Sequence, residues 1–175
     1  FRERTGEIAA YEQIASTTKD DITTYTKVVV EGGNKTTDYK KVSSSKDGSY
    51  AIFNKGVMCE YFTQNDGNFE VKYYDMKGTL KETEKYDAKK NTYTTYDYRG
   101  KVKKIIEYTE DGTTKIAKYD TATEKMTEMS ISKDNVTGYY NNLGMLVYTK
   151  EIDKKTGDII YRDPSFGEFA REYYK

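Results

Sequence analysis

Asn65-Asp66-Gly67-Asn68-Phe69-Glu70-Val71-Lys72-Tyr73-Tyr74-Asp75-Met76-Lys77-Gly78 reads as one strand held between two turns. Asn-Asp-Gly and Lys-Gly supply backbone positions that accept positive φ, which tight hairpin turns require. The residues between them are β-formers and charged residues of strand length. The same punctuation continues at Arg99-Gly100, Asp111-Gly112, Leu143-Gly144 and Thr156-Gly157. Gly32-Gly33-Asn34, Lys46-Asp47-Gly48, Asn54-Lys55-Gly56, Asp87 to Lys90, Thr121 to Thr123 and Asp134-Asn135 fill the remaining gaps.

This spacing predicts strands at 22–30, 35–43, 49–53, 57–63, 68–75, 79–86, 91–98, 102–109, 113–120, 124–132, 136–140, 145–152 and 158–162. The expected fold is mainly β, an extended or curved antiparallel meander of repeated hairpins. One domain is expected over 1–175, with the hairpins at 22–162 and a short helix at each end. Alternation is weak: in 79–86, Leu80, Glu82, Glu84 and Tyr86 share one face and Thr79, Lys81, Thr83 and Lys85 the other. A sandwich or barrel needs an apolar face on nearly every strand, so an open sheet with two wet faces is favoured.

Helical spacing at both ends predicts the two helices. Ile8, Tyr11, Ile14 and Ala15 suggest an amphipathic helix over 6–18. At 165–174, Ser165 and Glu168 have capping-box spacing just after Pro164, and Phe166, Phe169, Ala170 and Tyr173 form a stripe.

Composition limits the chemistry. Lys plus Arg and Asp plus Glu both total 29, so no net field favours nucleic acid. Ile, Leu, Val and Phe are sparse, with three leucines, while 19 tyrosines provide rings to bury in place of aliphatic groups. No run approaches the ~18 apolar residues of a membrane-spanning helix. A chain without histidine lacks the commonest general base and metal ligand. Glu82 and Glu84 share a face without any sign of a pocket, and the Asx-Gly turns lack calcium-loop spacing. There is no phosphate-binding glycine loop, and Lys101-Val102-Lys103-Lys104 reads as a solvated strand face. Cys59, the sole cysteine, sits among Val57, Met58, Tyr61 and Phe62 as a small packed thiol. No catalytic residue, metal site or cofactor is expected, and the chain is not expected to be an enzyme.

Tyr73-Tyr74-Asp75-Met76-Lys77-Gly78-Thr79-Leu80 and Tyr96-Asp97-Tyr98-Arg99-Gly100-Lys101-Val102 share a Tyr/Asp, Gly, aliphatic pattern, nearly copied at Tyr139-Tyr140-Asn141-Asn142-Leu143-Gly144-Met145-Leu146. It resembles the tyrosine-aspartate (YD) repeats of bacterial Rhs-type surface proteins. It is also similar to the Tyr-rich repeats of choline-binding and cell-wall-binding proteins, although the tryptophan usual in those pockets is missing here. The resemblance implies hairpin architecture, and no functional residue is carried over from it. The expected role is a bacterial surface or secreted repeat protein serving as a binding or structural module, with a glycan or cell-wall binder and a lipid or small-ligand carrier as alternatives. A protein or glycan partner would meet exposed rings, with Tyr73, Tyr74, Tyr96, Tyr98, Tyr139 and Tyr140 as the candidates. The expected location is extracellular, at the cell surface or periplasmic. A start at Phe1 rather than Met fits a removed signal peptide as well as it fits trimming.

Overall fold

A computed structural model describes residues 10–175. All regular structure in this range is β. The chain divides into two compact units, the first through Lys85 and the second Tyr86–Lys175. The first contains β1 (Ala10–Lys19), β2 (Ile22–Glu31), β3 (Asn34–Ser44), β4 (Tyr50–Asn54), β5 (Val57–Asn65), β6 (Asn68–Tyr74) and most of β7 (Leu80–Asp87). The second contains β8 (Thr92–Asp97), β9 (Val102–Tyr108), β10 (Thr114–Tyr119), β11 (Met126–Lys133), β12 (Val136–Tyr140), β13 (Leu146–Ile152), β14 (Ile159–Asp163) and β15 (Gly167–Glu172). Within each unit, strand order in the sheet is chain order, giving an antiparallel meander. Every strand expected between 22 and 162 is present, with ends shifted by no more than two residues.

The loops explain this agreement. Asp66-Gly67 and Lys55-Gly56 place two successive residues at positive φ, matching the right-handed twist of the flanking strands. Longer loops begin with an Asx or equivalent residue whose side chain satisfies the turn. Asp97 Oδ1 accepts the N–H groups of Arg99 and Lys101, both at 2.9 Å. Gly100, at φ 82°, closes the loop by donating to the Asp97 carbonyl at 3.0 Å. Asp75 with Gly78 and Asn141 with Gly144 repeat this arrangement. A wider version puts the left-handed residue four positions after the aspartate, at Asn91, Glu124, Gly157 and Gly167. Open space surrounds the Cβ position of Gly100, so Gly100→Ala adds only backbone strain. Urea denaturation should show a loss of about 1–2 kcal/mol, whereas Glu124→Gly should gain in the same assay.

Both expected helices are corrected. Ile8 lies outside the described residues, but Ala10–Lys19 is strand β1, paired with β2 from Ala10↔Glu31 to Lys19↔Ile22. An isolated helix shorter than about 12–15 residues is marginal in water. The β2 backbone instead offers β1 a partner along its whole length, and Ile14, Thr17 and Thr18 are β-branched. At the other end, Asp163 Oδ1 accepts the N–H of Ser165 at 2.7 Å and of Phe166 at 3.1 Å, forming a turn where the capping box was expected. Gly167 follows at φ 78°, outside helical space, and β15 returns along β14. Glu168, expected to cap the helix, pairs with Arg171 at 2.9 Å.

Within each unit, the strand contacts among the described residues run between chain neighbours, as in a meander. Val30, Val71, Ala117 and Ile160 are the buried apolar residues of the described chain. Apolar burial therefore comes largely from rings lying across strands. Tyr50 stacks on Phe62 at 4.9 Å in the first unit, and Phe62 contacts Phe69 at 5.8 Å.

Register shifts recur on the second strand of successive hairpins. Asp38 on β3 and Cys59 on β5 are the extra residues in the first unit. Lys103, Thr127, Val147 and Phe169 hold the same place on β9, β11, β13 and β15. A bulge increases local twist and re-aims its side chain. The structural repeat is thus a hairpin with a bulged return strand.

Candidate functional site

The six tyrosines expected to bind a ligand do not converge on one site. Tyr73 and Tyr74 are successive strand residues and point to opposite faces. The half-buried Tyr73 donates its hydroxyl to Glu84 Oε2 at 3.1 Å. Burial and then the Glu84 carboxylate push its pKa up to about 12. The phenol is thus held neutral by the fold. Because the folded pKa lies above the unfolded value of 10.0, this contribution to stability is complete below pH 10 and lost as pH rises toward 12. Carbon NMR of labelled tyrosine should show a late-ionising ring that is absent in Tyr73→Phe and shifted down in Glu84→Gln.

Tyr74 lines a hollow of about 500 Å³ with Asp38, Asn54, Val57, Cys59 and Met76. Two of these, Asp38 and Cys59, are bulge residues. The Cys59 thiol lies 3.4 Å from both the Ile52 carbonyl and the Asn54 amide. Burial and then Glu60 raise its pKa, opposing the thiolate form needed for nucleophilic chemistry. Tyr96 is half-buried at the end of β8. Tyr98 is 63% exposed in the adjoining loop, with the Arg99 guanidinium 5.5 Å from its ring centre.

Tyr139 leads to the richest surface. Its ring stacks on Tyr148 with centroids 4.5 Å apart. Tyr148 lies 6.3 Å from Tyr161 and 6.4 Å from Phe169, which are themselves 6.3 Å apart. The rings form a ladder across β12–β15, and Phe169 remains 59% exposed. The Tyr140 ring and Leu146 occupy the space over Gly138, and Tyr140 joins Tyr139 in lining a groove beside the ladder. Sequence reading did not assign Tyr148, Tyr161 or Phe169 to a site, since a ladder is created by register between strands. For Phe169 the helical expectation also hid the strand.

Next to this ladder lies a groove of about 270 Å³. Register places Ile116, Ser130, Tyr139 and Tyr148 side by side on successive strands, with Lys118 opposite Glu128 in the adjacent row. The Lys118 ammonium lies 2.7 Å from the Glu128 carboxylate, with both side chains more than half exposed. Val147, the bulge residue, also lines the groove. The site combines aromatic surface with a hydrogen-bonding ion pair whose charges cancel.

Among the described residues, no group of three or more His, Cys, Asp or Glu is placed to hold a metal ion. No helix among them is long and apolar enough to cross a membrane. Comparison with protein-family models and with curated proteins finds no match to this chain.

Proposed function

We propose that the chain is a non-enzymatic binding module, a series of repeated hairpins displayed at the surface of a bacterium or secreted from it, that engages a protein or glycan partner. The observation supporting this most directly is the Tyr139–Tyr148–Tyr161–Phe169 ladder, whose last ring is 59% exposed. Grouped rings supply large, rigid contact area with little side-chain entropy to lose on binding. The resemblance of the Tyr-Asx-Gly hairpins to bacterial surface repeats supports the proposed location.

The reading is tested by incubating labelled chain with intact cells and isolated envelopes of the producing bacterium, alongside fractionation of the native protein. Retention should fall severalfold for Phe169→Ala, whose ring is largely exposed. A cytosolic native protein, or retention indifferent to the ladder rings, would count against the proposal.

A further inference from the structure

We infer that the groove beside Tyr139 and Tyr148 is a binding site for a neutral pyranose unit of an oligosaccharide, a reading that rests on the binding-module function above. Tyr139 and Tyr148 already stack at 4.5 Å, which leaves no slot between them for a planar heterocycle. Their remaining ring surface, with Ile116 and Val147 alongside, suits the C–H face of a sugar ring.

The polar partners follow in the next row. Lys118 offers ammonium donors and Glu128 carboxylate acceptors, the two requirements of vicinal hydroxyl groups, and Ser130 can serve either role. In the free protein the two charged groups satisfy each other, so a sugar exchanges one exposed pairing for hydrogen bonds to both. Their opposite charges leave no net field, which favours a neutral glycan over an acidic one. At about 270 Å³ the groove is smaller than the ~300–1,000 Å³ typical of drug-sized pockets, in keeping with one or two sugar units. The bulge at Val147 adds a side chain beside Tyr148 that a regular ladder would not place there.

Isothermal titration of the whole chain with cellotetraose, chitotetraose, maltotetraose and tetragalacturonate tests this. Saturable binding to at least one of the three neutral sugars is expected, weaker by about tenfold in Tyr148→Ala and retained in Tyr148→Phe. Glu128→Gln, at an exposed position, should weaken binding while leaving circular dichroism and Tm unchanged, so the test survives if Tyr148→Ala folds poorly. Binding to none of the neutral sugars, a preference for tetragalacturonate, or affinity unaffected by Tyr148→Ala and Glu128→Gln would each overturn the site. If ladder-dependent retention on cells persists in any of those cases, the binding-module reading stands and the sugar site alone falls.

Discussion

Tyr148→Ala should lower the unfolding free energy of the second unit by about 2–3 kcal/mol, measured by urea denaturation with Tyr148→Phe alongside. Tyr148 contacts the rings of Tyr139, Tyr161 and Phe169. A conventional domain would spread such a loss over a core of fully buried side chains, but no described residue here falls below 2% exposure. Each aromatic pair contributes about 0.5–1.5 kcal/mol beyond its buried area, and truncation removes all three at once. Partial exposure keeps the total below the ~3–5 kcal/mol of a fully buried ring. Tyr148→Phe preserves the stack and should remain close to the parent. Met76→Ala, at a residue 87% exposed, should change stability by no more than about 0.5 kcal/mol. Equal effects of Tyr148→Ala and Met76→Ala would show that the ladder does not hold this sheet together.

Acid should destabilise the protein below about pH 4, because several aspartates that hold its loops are kept ionised by the fold. The N–H of Thr79, followed by that of Lys77, holds Asp75 below the ordinary carboxylate value. At Asp97, burial pushes the pKa upward but is outweighed by the N–H groups of Lys101 and Arg99 and the Arg99 guanidinium. Asp120 is lowered by the Thr123 N–H and hydroxyl. Asp158 is lowered chiefly by the Tyr174 N–H, with help from Thr156 and Arg171. Each folded pKa lies below the unfolded value of 3.8, so the stabilisation is present above pH 3.8 and is lost as pH falls through the folded values. Tm should therefore change little between neutral pH and about pH 5, then fall as pH drops below 3.8.

Asn141 supplies the control for this effect. Its amide oxygen accepts the N–H groups of Leu143 and Met145 at 3.0 Å, doing without charge what Asp97 does for Arg99 and Lys101. Asp97→Asn should thus keep the turn while removing one titration, flattening the acid limb. Asp158→Asn should flatten it less cleanly, because the 3.2 Å pairing with Arg171 also loses its charge. Calorimetric scans across pH would expose an error here if both variants tracked the parent curve.

The turns were legible because their requirements are local. A left-handed backbone position demands Gly or tolerates Asn and Asp, and the neighbouring Asx side chain bonds N–H groups two to four residues onward. Asn65-Asp66-Gly67 carries the left-handed positions, and Asp97-Tyr98-Arg99-Gly100 carries both features in a few residues. The C-terminal reversal uses the same chemistry in Asp163-Pro164-Ser165-Phe166-Gly167, but the Ser165–Glu168 spacing and the aromatic stripe were equally compatible with a helix. Burial of that stripe against a helix would have needed a partner surface, whereas β14 offered immediate backbone pairing. Among the expected site residues, Tyr139 was identified from its motif, and its partners across the sheet were not.

Chain composition and local backbone preference thus dictated where this protein reverses direction and that its strands follow one another as a meander. They also dictated reliance on phenol rings where aliphatic side chains are scarce. The identity of the end segments, the bulges on β3, β5, β9, β11, β13 and β15 and the grouping of Tyr148, Tyr161 and Phe169 were settled only by pairing between strands. A bulge or a one-residue slip changes which side chains meet on a face, and the hydrogen bonds that select a register lie between segments rather than within them.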